Sequence, residues 1–310
     1  MSEPGPTPPN SPNPPNQQDT ITATIIAGPT AGGKSARALD VARARNGVVI
    51  NADSLQIYRD LPILTAQPSP MPDIPHRLYG ILNPNDPMDA MRWRDLAITE
   101  IRAAAAQNHH PIIVGGTGFY LKTLMEGLSP IPQIPEFIRL MIEDLKDRMG
   151  DEVFYKFVIT ADPTLEGRMD PKNSRRLVRA YEVMAATGLS ITHWQSLPKS
   201  GPPQGIRFEI ELIMPERAEL YHRCNIRFEE MIKQGAIEEV EQFDTKILQG
   251  EIAVDAPLTH ALGFQPLQSH VRGEMDLETA ITLAQNETRH YAKRQATWFR
   301  HQLPLCDPPV

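Results

Sequence analysis

Cysteine is nearly missing from this 310-residue chain: there are two, Cys224 and Cys306, far apart and outside any CxxC or Cys/His ligand spacing. That excludes a disulfide framework and a structural zinc site, and it suits a reducing cytoplasm. Long apolar runs are missing too. No stretch approaches the roughly 18 uninterrupted apolar residues of a membrane span, so a soluble protein with no membrane association is expected. Positive charge is in deficit, with 31 Lys plus Arg against 38 Asp plus Glu and a net charge of −7. A balance of that sign counts against a nucleic-acid partner unless basic residues are gathered locally. The first nineteen residues lack both the apolar core of a secretory signal and the Arg-rich amphipathic character of a transit peptide. They hold seven prolines by position 15 and read as a disordered Pro-rich tail. Nothing resembles a coiled coil or a repeated apolar stripe, so a monomer is expected.

What is present begins with TITATIIAG at 20–28, a β-branched run that breaks at glycine and passes into SARALDVARAR, whose composition suits a helix. Further apolar runs, GVVINAD at 47–53 and HPIIVGGTG at 110–118, are spaced to leave room for crossover helices, the pattern of a parallel α/β sheet. From 122 to 204 the apolar spacing turns helical, as in FIRLMIEDLKDRM and RRLVRAYEVMAATG, between Pro- and Gly-rich punctuation. RFEIELIMP at 207–215 then resumes the sheet, and helices are predicted over 217–243 and 277–299. The expected architecture is an α/β core over 20–121 and 205–310, of the P-loop NTPase type, with a helical domain inserted at 122–204.

Gly28, Pro29, Thr30, Ala31, Gly32, Gly33, Lys34 and Ser35 satisfy G-x-x-x-x-G-K-[ST] between a predicted strand and a predicted helix. Backbone amides and the helix N-terminus there surround a diphosphate, Lys34 adds a positive charge and the Ser35 hydroxyl can hold Mg²⁺. By itself the motif favours an ATP or GTP user such as a small-molecule kinase. The third strand, however, ends in Gly115-Gly116-Thr117-Gly118, where a Walker-type NTPase would place a metal-binding Asp. At the end of the second strand, Asp53 could coordinate a metal, act as a base or cap a helix. Gln56 beside it has an amide suited to an adenine edge. Arg223 and Arg227 share a helix face, and either could reach a diphosphate or pair with a neighbouring Glu. Two basic clusters, Arg168, Arg175, Arg176 and Arg179, then Arg289, Lys293, Arg294 and Arg300, could each face a polyanion or be solvated helix faces.

Taken in order, GPTAGGKS, NADSLQIYRDLPILTAQP, PHRLYGILNP, VGGTGFYLKTLMEGLSP, DPTLEGRMDPKNSRRLVRAYEVMAATG, YHRCNIRFEEMIKQGAIEEV, ALGF and ETRHYAKRQATWFR resemble the bacterial tRNA dimethylallyltransferase family from about residue 25 to 300. The resemblance implies transfer of a dimethylallyl group from dimethylallyl diphosphate to N6 of adenosine 37, in tRNAs reading codons that begin with U. It implies a P-loop core, a helical insert that meets the tRNA anticodon stem-loop, and Mg²⁺ near Ser35. Asp53 then matches the general base, and Lys34, Ser35, Thr117 and Arg223 match positions that hold the diphosphate. The tRNA-contacting segments map onto Asp53, Ser54, Leu55 and Gln56, onto Thr117 and Arg139, and onto Arg175, Arg176, Leu177, Val178 and Arg179. They continue at His260, Gly263 and Phe264, and at Arg289, Lys293, Arg294 and Gln295. The sequence departs from the family pattern at Gly32, Ser35, Gln67, Asn173, His260 and Phe264. Two of these, Gln67 and His260, remove positive charge from segments expected to face RNA. A relative that prenylates free adenine nucleotide would share the cradle and base, whereas the helical insert and the Arg-rich last helix favour tRNA. A non-catalytic RNA-binding protein is opposed by the intact Asp53, Lys34, Thr117 and Arg223.

Overall fold

The computed structural model describes residues 20–69 and 71–303; the Pro-rich tail of 1–19 lies outside the described residues. Five strands, β1 (Ile21–Ala27), β2 (Gly47–Asn51), β3 (His76–Arg77), β4 (His110–Gly115) and β5 (Ile206–Leu212), form one parallel sheet in the order β3-β2-β4-β1-β5. β1 lies at its interior, with Thr24 beside Ile112 of β4 and Ile21 beside Ile206 of β5. The central strands β2 and β4 are covered on both faces, which is why they appear in the sequence as continuous apolar runs, whereas β5 at the edge alternates and is only partly buried. The two-residue β3, which extends the sheet beyond β2, is too short to leave such a signal.

Helix α1 (Lys34–Arg45) follows β1, α2 (Ala90–Ala106) precedes β4 and α3 (Gly118–Glu126) follows it. Ile26, Ala38, Val41, Val49, Ile112 and Val114 close the core between α1 and the sheet. After β5 come α8 (Arg217–Lys233), α9 (Ala236–Leu248), α10 (Phe264–Val271) and α11 (Leu277–Gln302). The single helix predicted over 217–243 is two. Gly235 adopts φ 102°, a left-handed conformation that ends α8 and starts α9, and the Gln-Gly pair before the next apolar run is its trace in the sequence. Asp244 of α9 is buried and receives two hydrogen bonds from Arg272 (2.9 and 2.7 Å) and one from Gln268 (2.6 Å), which locks α9 to α10.

The chain divides into two compact units, one reaching to Leu121 and resuming at Pro203, the other spanning Lys122–Pro202. The second unit holds α4 (Glu136–Met149), α5 (Asp151–Ala161), α6 (Ser174–Thr187) and α7 (Ile191–Ser196). It has its own core of Ile142, Phe154, Val158, Leu177, Ala180 and Val183. Among the described residues no helix is long and apolar enough to cross a membrane.

Candidate active site

The loop from Gly28 to Ser35 is shaped by three glycines and a lysine. A side chain on Gly28 would lie 2.3 Å from the Ile213 carbonyl oxygen, so only glycine lets the end of β1 pass the end of β5. The Gly32 N–H donates to Pro29 O (3.1 Å) to close the turn, and Gly33 at φ 95° swings the chain into α1. Lys34 reaches back and donates to Pro29 O at 2.7 Å. Residues 30–36 line a cleft of about 340 Å³ whose remaining wall includes Asp53, Gln56, Tyr79, Gly116, Arg223 and Arg227.

Asp53 is presented by the exit of β2. The fully buried Asn51 accepts from the Asp53 N–H (2.8 Å) and donates to the carbonyls of Asp53 (3.0 Å) and Leu78 (2.9 Å). Trp93 Nε1 donates to Asn51 O at 2.9 Å. Asp53 Oδ1 accepts the Leu55 N–H (3.0 Å), and among the described residues Oδ2 makes no hydrogen bond. Thr117 Oγ1 accepts the Ser54 N–H at 3.1 Å, which ties this loop to the end of β4.

The Asp53 carboxylate also acts on the charge of several neighbouring groups. Burial strips water from the Lys34 ammonium and pulls its pKa down to about 8, with Asp53 acting against the shift and Arg227 adding to it. Burial pushes Tyr291 up to about 12, with Asp53 as the second cause. Burial is likewise the main cause that raises the Tyr79 and Tyr120 phenols, with Asp53 contributing to both. Of the two arginines on α8, Arg227 is half-buried and donates to Thr30 Oγ1 at 2.6 Å, while burial lowers its pKa. Arg223 is exposed, lines the cleft and pairs with Glu219 at 2.6 Å.

The structure redistributes the residues expected to meet RNA. Arg139, Arg175 and Arg176 are exposed on helices of the insert, and Arg179 pairs with Glu182 at 3.0 Å. Leu177 does not belong with them, because it is 1% exposed and faces the insert's own core; Val178 packs partly against the same core. Phe264 is buried edge-on against Phe243, and a side chain on Gly263 would strike the Phe228 ring, so of 260, 263 and 264 only His260 is exposed. Both amide hydrogens of Gln56 go to the carbonyls of Thr65 and Ala66 (2.8 and 3.0 Å), which leaves only its carbonyl for a base edge. On α11, Lys293 and Arg294 are exposed and Arg289 is held by Asn225 and Asn286. Gln295 is buried.

The family model for IPP transferases matches residues 56–302, most of the chain. The chain belongs to the IPP transferase family. A second model, for isopentenyl transferases, matches residues 21–74, which hold the cradle and Asp53. A tRNA dimethylallyltransferase of Paramagnetospirillum magneticum is 48% identical over 283 residues, covering 91% of this chain and 88% of that one. One from Rhodospirillum centenum is 45% identical over 286 residues, with 92% and 90% covered. Among solved structures, the tRNA isopentenylpyrophosphate transferase of Bacillus halodurans superposes with a TM-score of 0.62 at 30% identity, covering 92% of this chain and 88% of that one. A eukaryotic dimethylallyltransferase acting on tRNA gives 0.74 at 26%, with 90% and 70% covered.

Two departures from the IPP transferase pattern prove structurally quiet. Asn173 still caps α6, its side chain accepting the Arg176 N–H, and Gln67 turns inward to donate to Tyr58 O at 2.8 Å. The residues also fit a magnesium-bound diphosphate. Ser35 is exposed in the first turn of α1 beside Lys34, and Mg²⁺ is satisfied by one such hydroxyl, phosphate oxygens and water. Sequence patterns left Arg227 undecided between diphosphate and Glu and did not single out Tyr79; both line the cleft.

Proposed function

We propose that this chain transfers the dimethylallyl group of dimethylallyl diphosphate to N6 of adenosine 37 in tRNAs reading codons that begin with U, acting as a monomer in the cytoplasm. The observation that carries the reading is one cleft lined together by a P-loop with Lys34, by Arg227 and by Asp53. β4 meanwhile ends in glycines, where an NTPase needs an acid.

The residue types answer the difficulty of the reaction. The adenine N6 amine is a weak nucleophile because its lone pair is delocalised into the ring. As the N6–C1 bond forms and the C1–O bond breaks, the N6 proton passes to the Asp53 carboxylate and the bonding pair leaves with diphosphate. Lys34, Arg227, Arg223 and the amides of Gly33, Lys34 and Ser35 stabilise the charge that develops there. Mg²⁺ held at Ser35 would supply further neutralisation of the leaving group. Drawing the base out of the anticodon-loop stack costs a few kcal/mol, offset by stacking and hydrogen bonds in the pocket. Each unit carries exposed cations, Arg139, Arg175 and Arg176 in the insert and Lys293 and Arg294 on α11, of the kind that a tRNA needs and a free nucleotide does not.

The test is transfer of labelled dimethylallyl diphosphate to unmodified tRNA with AMP as competing acceptor. Label in tRNA, absent when adenosine 37 is replaced, is the expected result. Label in AMP alone would assign a free-nucleotide acceptor, and no label in either would overturn the prenyl-transfer reading.

A further inference from the structure

Gln295 lies among cations on α11, yet it is buried, and both ends of its amide are engaged across the sheet's carboxyl edge. Its Oε1 accepts the Thr30 N–H of the phosphate cradle at 2.8 Å, and its Nε2 donates to Gly116 O at the end of β4 at 2.7 Å. A side chain at Gly116 would lie 2.4 Å from Gln295 Nε2, so this glycine makes room for the amide. Each anchored point leads directly to a group that the proposed reaction needs. Thr30 Oγ1 receives Arg227, while Thr117, next to Gly116, holds the Ser54 N–H beside Asp53.

Resting on the prenyl-transfer reading, we infer that Gln295 is a positioning residue that sets the diphosphate cradle and the Asp53 loop at a fixed separation, and that it does not touch RNA. The chemistry requires glutamine. One site presents an N–H and needs an acceptor, whereas the other presents a carbonyl and needs a donor. A glutamate would place two acceptors there and set a carboxylate against Gly116 O. Asparagine is one methylene too short to span both. Positioning of this kind matters because misplacing reacting groups by about 1 Å costs on the order of 10²-fold in rate.

The experiment compares the parent protein with Gln295→Glu and Gln295→Met, both close to glutamine in volume, on three readouts. These are transfer from dimethylallyl diphosphate to an unmodified tRNA transcript, affinity for inorganic pyrophosphate by calorimetry, and affinity for the same transcript. Both variants are expected to lower kcat by about 100-fold and to weaken pyrophosphate binding, with transcript affinity within about twofold of the parent. Gln295→Glu should recover part of its rate, relative to the parent, as pH falls, because the protonated carboxyl regains a donor for Gly116 O; Gln295→Met should show no such recovery. A merely space-filling residue would give parent-like rates in both variants. Weakened transcript affinity with pyrophosphate binding unchanged would assign Gln295 to RNA binding instead. Either result overturns the inference. A parent protein that binds pyrophosphate but transfers no label would refute the function proposed above, while the pyrophosphate comparison would still judge Gln295.

Discussion

Asp53 lines the cleft with one carboxylate oxygen committed to the Leu55 N–H, a local turn that is compatible with the proposed role as base. Asp53→Asn keeps the acceptor for Leu55 and removes the base. Transfer should fall by about 10² to 10⁴, the range typical of a missing general base, while tRNA binding measured by filter retention stays near the parent value. Lys34 carries a second prediction at this scale. Its pKa of about 8 means that it is charged below that pH and increasingly neutral above it. Diphosphate binding needs the charged form. The advantage of the parent over Lys34→Met in pyrophosphate affinity should therefore be full near pH 6.5 and shrink as pH rises through about 8. An advantage that grew with pH would contradict the burial of this ammonium.

Helix α9 holds the segment after Asp53 from outside the sheet. Glu239 accepts the N–H groups of Ile63 and Leu64, both at 2.9 Å, and Lys246 pairs with Asp60 at 2.5 Å. Burial raises the Glu239 carboxyl, with those two amides acting against the shift. Glu239→Ala strands two half-buried amides, and a destabilisation of about 1–3 kcal/mol is expected in urea unfolding. The junction between α8 and α9 has a separate vulnerability. Gly235→Ala forces a Cβ into a left-handed residue, at a cost of about 1–2 kcal/mol, visible as a lower unfolding midpoint. The helix boundary was legible in the Gln-Gly pair, but amphipathic spacing continued across it. The turn conformation, not the pattern, therefore decided where α8 stops.

At the scale of the molecule, the proposed tRNA substrate has to be reconciled with a net charge of −7, and the exposed cations Arg175, Arg176, Lys293 and Arg294 are the candidates to do so. Binding of tRNA should weaken steeply with salt, and Arg175→Ala with Arg176→Ala should flatten the log–log slope by roughly 0.7–0.9 for each phosphate that the double variant leaves unneutralised. The insert, with its own core around Phe154 and Leu177, is expected to give a cooperative helical melt when expressed as residues 122–202. A featureless melt would mean that the insert depends on the rest of the chain.

The P-loop motif from Gly28 to Ser35, the position of Asp53 at a strand end, the parallel strands and the helical run after 122 could be read from order and spacing, because each is specified by neighbours along the chain. A strand buried on both faces writes an apolar run, and a phosphate loop needs its glycines at fixed offsets. What tertiary structure alone decided is which polar groups meet across long separations. Arg227, and not the neighbouring Arg223, grips Thr30, and Gln295 reaches that loop from 265 residues away. In the same way, Leu177 turns inward from the middle of a basic segment. Periodicity ranks the faces of a helix, but only packing against a distant element determines which of two adjacent polar side chains is buried and what it bonds.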